Sequence, residues 1–250
     1  MLWWHSLGED DLPEGREWLS LSESNVVSAL RYTKRRNEWL LARWTAKQTV
    51  AQLLGVPPDH DNLAGIEIRS VVHGPAQGAP EVFVDGARAM VAVSLTDRAG
   101  WAVCTAGDHE AIGCDLELVE PRSEWFVQDF LTVAEQALVA EPPWDATADL
   151  VANLIWSAKE SALKVLRTGL RRATRSVEVG FGPGIEDGWR ELVVRGEEGV
   201  SLPGWWSRYG LFLLTVVASE EHAPPTPLLP PPRLVGAEPS HTWMDAPAVG

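Results

Sequence analysis

The stretch Leu154-Ile155-Trp156-Ser157-Ala158-Lys159-Glu160-Ser161-Ala162-Leu163-Lys164 constrains this chain most. It holds no glycine or proline. Leu154, Ile155, Ala158, Ala162, Leu163, Val165 and Leu166 recur at the three- to four-residue spacing of an apolar helix face. On such a helix Trp156, Glu160 and Lys164 stand at i, i+4 and i+8 and share one side. A carboxylate and an ammonium one turn apart suit a base or metal ligand beside a charge stabiliser. Alone they read first as a solvated ion pair worth ~0.3–0.5 kcal/mol. A second stretch changes that balance. Ala111 to Leu118 reads as a strand with Cys114, Leu116 and Leu118 on one face, so Asp115 and Glu117 lie together on the other. Neighbouring carboxylates repel unless a proton or cation relieves them, and with Glu160 they make an oxygen set suited to Mg²⁺.

Three ordered segments carry a resemblance: Gly113-Cys114-Asp115-Leu116-Glu117, Phe130-Leu131-Thr132-Val133-Ala134-Glu135, and Trp156 through Lys164. They resemble the G-[VI]-D-[LIV]-E, F-[FL]-T-x-x-E and W-[ST]-x-K-E-[AS]-x-x-K motifs of the 4′-phosphopantetheinyl transferases. The similarity runs from about Leu19 to Ala218, and the length suits the larger, Sfp-like type. That resemblance implies an α+β fold of two similar α/β halves in a pseudo-twofold arrangement, with the ligand cleft between them. The halves are expected at 1–107 and 108–222, although they do not match visibly in sequence.

The family implies roles residue by residue. Asp115, Glu117 and Glu160 would bind Mg²⁺, with Mn²⁺ as the alternative, and coenzyme A would be the co-substrate. Glu160, or a metal-bound water, would take the proton from a serine of an acyl or peptidyl carrier protein, and Lys164 would steady or protonate the departing 3′,5′-ADP. Lys159 would touch phosphate, as would Arg43 and Lys47 from a long helix over about Ala29–Leu54. That helix is closed by Gly55 and Pro57-Pro58. The implied function is 4′-phosphopantetheine transfer in polyketide, nonribosomal peptide or fatty acid assembly.

Two departures bear on the donor site. Val93 to Gly100 resembles the family's S-L-S-H-[SR]-x-G turn, but Thr96 and Asp97 stand where serine and histidine are usual. An aspartate there repels a phosphate unless it is protonated or paired, for instance with Arg98. Ala79 in Gly78-Ala79-Pro80 replaces the family lysine. They leave open an alternative: a repurposed or non-catalytic member that binds a carrier protein or a carrier-bound intermediate.

Composition and pattern fill in the rest. The 250 residues include 45% hydrophobic residues and 13 Trp, enough for a sizeable core. No run of ~18 apolar residues predicts a membrane span, and the start lacks a secretory pattern. Cys104 and Cys114 read as reduced core thiols, so a cytoplasmic protein is expected; the resemblance implies a monomer, with no nucleic-acid or membrane partner expected. Net charge is −14, yet cations gather at Arg31–Lys47 and at Lys159–Arg175, and the second cluster overlaps the motif helix. Strands are expected at Ile66–Arg69, Glu81–Val84, Met90–Leu95, Trp101–Ala106, Ser176–Val179, Trp189–Arg195 and Leu211–Val217. Thr132 and Glu135 form a capping-box pattern. Residues 223–250, dense in proline, read as a flexible tail outside the fold.

Overall fold

The computed structural model describes residues 1–240. Its helices are α1 (Leu21–Ala29), α2 (Thr33–Leu54), α3 (His60–Gly65), α4 (Glu124–Phe130), α5 (Val133–Ala140) and α6 (Ala148–Val165). Its strands are β1 (Leu2–Gly8), β2 (Ile66–Ser70), β3 (Pro80–Val84), β4 (Ala87–Arg88), β5 (Ala92–Arg98), β6 (Trp101–Gly107), β7 (Ile112–Leu118), β8 (Val177–Glu186), β9 (Trp189–Gly196), β10 (Ser201–Tyr209), β11 (Phe212–Ala218) and β12 (Thr226–Pro227). The fold is α+β, with sheets of order β12-β1-β6-β5, β2-β3-β4 and β7-β11-β10-β9-β8.

Strand alternation divides the core. On the five-stranded sheet, Leu213 and Val217 face α6 and join Leu154, Ile155, Ala158 and Ala162 in one apolar cluster. Cys114, Leu116 and Leu118 of β7 face the other way, as do Phe212, Leu214 and Val216 of β11. They pack with Leu2, Trp4 and Val103 of the four-stranded sheet. Trp4 is fully buried, with its ring 5.3 Å from Tyr209 and 6.1 Å from Trp189. A third cluster seats Ala46 and Val50 of α2 on Val93, Cys104 and Ala106.

Two buried lysines do the same job in two places. Ser20 caps α1 and exchanges hydrogen bonds with Glu23, whose Oε1 also accepts the Ile68 amide at 3.1 Å. Lys47 Nζ reaches that carboxylate at 2.5 Å and donates to the carbonyls of Trp18 and Leu63. Thr132 caps α5 in the same way with Glu135, whose Oε1 accepts the Val179 amide at 2.8 Å. Lys159 Nζ reaches Glu135 at 2.7 Å and donates to the carbonyls of Thr174 and Val177. Thr132, Glu135 and Lys159 lie 112 positions after Ser20, Glu23 and Lys47. The lysines sit in Trp44-Thr45-Ala46-Lys47 and Trp156-Ser157-Ala158-Lys159, so the repeated structure has a sequence counterpart.

Several expectations are corrected. The long helix begins at Thr33 rather than near Ala29, after a break at Leu30–Tyr32 that sets it apart from α1, and Ser94 to Arg98 lies within β5 rather than in a turn. That turn is Ala99-Gly100, both with positive φ. β1 and β10 were not expected. Pro203 and Gly204 read as a turn signal inside β10, yet a Cβ at Gly204 would meet the Val216 carbonyl oxygen at 2.7 Å. Glycine there allows close strand pairing. The Pro-rich segment is no loose tail as far as residue 240. β12 pairs in parallel with β1, and the Leu228 amide bonds to the Trp4 carbonyl. Leu234 is fully buried with its amide on Ser6 Oγ, and Trp101 Nε1 donates to the Glu238 carbonyl. The apolar residues between the prolines supply the docking energy that proline counts conceal. Residues 241–250 of that expected tail lie outside the described residues.

Leu234→Ala is expected to destabilise the protein by ~2–5 kcal/mol, as for any fully buried leucine. Chemical denaturation measures this; a loss below ~0.5 kcal/mol would return the segment to a loose tail.

Candidate active site

β7 and α6 build the site between them. Gly113 opens the G-x-D-x-E motif because the helix comes too close for a side chain: a Cβ there would stand 1.9 Å from the Ser161 carbonyl oxygen. Ser157 and Ser161 of α6 hydrogen bond to Thr215 Oγ1, and Ser157 also donates to the Asp115 carbonyl, which fixes the helix register. Asp115 and Glu117 consequently both meet α6. Lys164 Nζ donates to Asp115 Oδ1 at 3.0 Å and to the Cys114 carbonyl at 2.7 Å. Trp156 Nε1 donates to Glu117 Oε1 at 3.0 Å. The expected shared side of Trp156, Glu160 and Lys164 is the half-buried stripe of α6, while most of the helix around it is buried.

The electrostatics single out Glu160. Burial first, and then the charge of Asp115, push its carboxyl up to about 7. Burial works against the Lys164 charge, but Asp115, Cys114 and Glu160 outweigh it and hold the ammonium above its ordinary value. Asp115 Oδ2 is buried without a hydrogen-bond partner. A buried anionic oxygen left bare costs free energy that a cation would recover. Asp115 and Glu160 therefore fit a hard divalent ion by their donor chemistry. Glu117 differs, because Arg98 Nε and Arg122 Nη2 both stand 3.2 Å from its Oε2. Among the described residues no three His, Cys, Asp or Glu side chains are already arranged around a metal.

Beside this site lies a cavity of about 350 Å³ lined by Arg43, Lys164, Arg167 and Arg171, with Ser94, Gly78, Ala79 and Pro80 among its other walls. Among the described residues, no acidic one lines it. Arg43 is buried, stacked on Trp39 at 4.9 Å, and burial lowers its pKa from the ordinary value. A larger cavity of about 610 Å³ adjoins it, shares Lys164 and Arg167, and adds Arg88 and His109 alongside Asp108, Glu110 and Glu220. Arg167 and Arg171 belong to the basic cluster legible in the sequence, although the motifs assigned them no role.

Other expected contacts are corrected. Lys47 and Lys159 are fully buried and their ammonium groups are committed to Glu23 and Glu135, so neither can grip a phosphate. Thr96 accepts the Leu116 amide and donates to Asp115 Oδ1 at 3.3 Å, which makes it a support for the carboxylate. Arg98 does not offset Asp97, because it pairs with Glu117 and Glu120. Burial first, then Glu38 and Asp115 against Arg35 and Lys164, raise the Asp97 pKa from its ordinary value.

Residues 111–186 match the family model of the 4′-phosphopantetheinyl transferase superfamily. This segment belongs to that superfamily. It contains Asp115, Glu117, Glu160 and Lys164 as well as Arg167 and Arg171, while Arg43 lies outside it. No curated protein matches the chain. No helix among the described residues is long and apolar enough to cross a membrane.

Glu160 ionises near ~4.3 in an unfolded chain but near 7 when folded. The folded state thus holds an extra proton between these values, and metal-free stability falls as pH rises through that window. Glu160→Gln removes the penalty, so its Tm in chelator should exceed wild type by roughly 3–6 °C at pH 8 and by under ~1 °C at pH 4.5. Equal shifts at both pH values would contradict this assignment.

Proposed function

We propose that this chain transfers 4′-phosphopantetheine from coenzyme A to a serine hydroxyl of an acyl or peptidyl carrier protein. The observation that carries the reading is the cavity lined by Arg43, Lys164, Arg167 and Arg171 beside Asp115 and Glu160. In a chain of net charge −14, four cations around one acid-free hollow suit a polyphosphate, and guanidinium groups match phosphate oxygens in pairs.

Asp115 and Glu160 would hold Mg²⁺, or Mn²⁺ as the alternative. Bound there, a divalent ion supplies charge neutralisation to the pyrophosphate. Lys164, tethered to Asp115, stabilises the same developing charge and meets the 3′,5′-ADP as it leaves. Glu160 is the group assigned to take the serine proton. The serine oxygen then bonds to the phosphorus on the pantetheine side, and the bond to the ADP phosphate breaks.

The two capping-box lysine units support reading the chain as two similar halves, 1–107 and 108–222, in a pseudo-twofold arrangement with the ligand between them. Both walls would then come from one chain, which suits a monomer. Polyketide, nonribosomal peptide and fatty acid carriers are the candidate acceptors.

Intact-mass analysis of an apo carrier protein incubated with this protein, coenzyme A and Mg²⁺ tests the reading. A phosphopantetheine-sized gain is expected, slowed by ~10²-fold or more in Asp115→Asn and Glu160→Gln. No gain across several carrier types, with coenzyme A still bound, would favour the alternative.

A further inference from the structure

We propose that Glu117 is a positioning residue, clamped by Arg98 and Arg122 to fix the loop between β7 and α4, and that Asp115 and Glu160 alone supply the protein's metal-binding carboxylates. The proposal rests on the metal-dependent reading above and refines it.

Each oxygen of Glu117 is already engaged. Oε1 accepts Trp156 Nε1, and Oε2 faces the guanidinium groups of Arg98 and Arg122, each at 3.2 Å. Both Glu117 Oε2 and Asp115 Oδ2 are buried without a hydrogen-bond partner, but Oε2 faces two guanidinium charges, whereas Lys164 and Thr96 both meet Asp115 at Oδ1. A divalent ion at Glu117 Oε2 would stand against two fixed positive charges in a buried setting, where repulsion is weakly screened. It would also have to break ion pairs whose loss strands buried charge.

The clamp extends well beyond one carboxylate. Arg98 Nη2 holds Glu120 Oε1 at 2.5 Å, joining the end of β5 to the loop after β7. Arg122 Nε donates to Asn153 Oδ1 at 2.6 Å, and Asn153 Nδ2 donates to the Glu120 carbonyl at 2.7 Å. Arg122 also lies 4.6 Å over the Phe126 ring of α4, which packs with Phe130 against Trp156 at 5.1 Å. Glu117 is thus the common anion of a network joining β5, β7, α4 and α6. The loop and α4 carry the exposed Trp125, so the clamp holds an exposed apolar surface in place, which is proposed as the carrier's contact.

Mn²⁺ titration followed by electron paramagnetic resonance separates the roles. Wild type should bind Mn²⁺; Asp115→Asn and Glu160→Gln should each weaken it by ~10-fold or more, and Glu117→Gln by under ~3-fold. Should Glu117→Gln fail to fold, Arg122→Gln carries the test. It should keep Mn²⁺ affinity within ~3-fold and raise KM for the carrier ~10-fold while leaving KM for coenzyme A within ~2-fold. A Glu117→Gln loss equal to that of Asp115→Asn overturns the proposal, as does an Arg122→Gln variant that binds Mn²⁺ ~10-fold tighter. Wild type that binds no Mn²⁺ at all overturns the metal reading itself, an outcome recognisable before any variant is compared.

Discussion

Two hydroxyl groups hold the site together. Ser94 Oγ accepts the Cys114 amide at 2.9 Å and Thr96 Oγ1 accepts the Leu116 amide at 3.1 Å. β7 is an edge strand of the five-stranded sheet, so these amides have no ladder partner there and would cost ~1–3 kcal/mol each if buried bare. Alternate side chains of β5 take the place of a neighbouring strand's carbonyls. Their spacing admits one register, and that register sets Thr96 against Asp115, the residue between the two bonded amides. The same seam brings Ser94 and Arg43 on one side to Lys164, Arg167 and Arg171 on the other, around one cavity.

The cations divide by burial into two trades. Lys47 and Lys159 are sealed inside, each neutralised by a capping-box glutamate and three oxygen contacts in all, and they hold helices to strands. Arg43, Lys164, Arg167 and Arg171 line open space. The chain is strongly acidic, yet this cavity's described lining is cationic and its acidic neighbours lie in the adjoining hollow. Local field, set by which side chains share a wall, decides what binds.

Much of the second half was legible because its signals are short-range and redundant. The apolar period of α6, the alternation in β7 and the Thr132–Glu135 cap each predict their own element, and the structure contains all three. The fates of Lys47 and Lys159 were misread because motif membership outweighed position. Ile155, Ala162 and Leu163 surround Lys159 at i−4, i+3 and i+4, which marks the buried face. Repetition of Trp-[Ser/Thr]-Ala-Lys with an upstream capping box was also present in the sequence, hidden because two short matches lie 112 positions apart. What no local pattern carries is the long-range chemistry: the Ser94 and Thr96 bridges, the Arg98–Glu117–Arg122 clamp and the docking of Leu234 on β1. Those depend on partners that only the fold brings near.

The central claim is that cations from both sides of the β5–β7 seam grip one polyphosphate. Calorimetric titration of coenzyme A into wild type, Arg43→Gln and Arg171→Gln tests it most directly. The account predicts that each variant loses ~10-fold or more in affinity, as expected for a charged hydrogen-bond partner removed, and that the wild-type affinity falls with added salt. Wild-type affinity in both variants would contradict it.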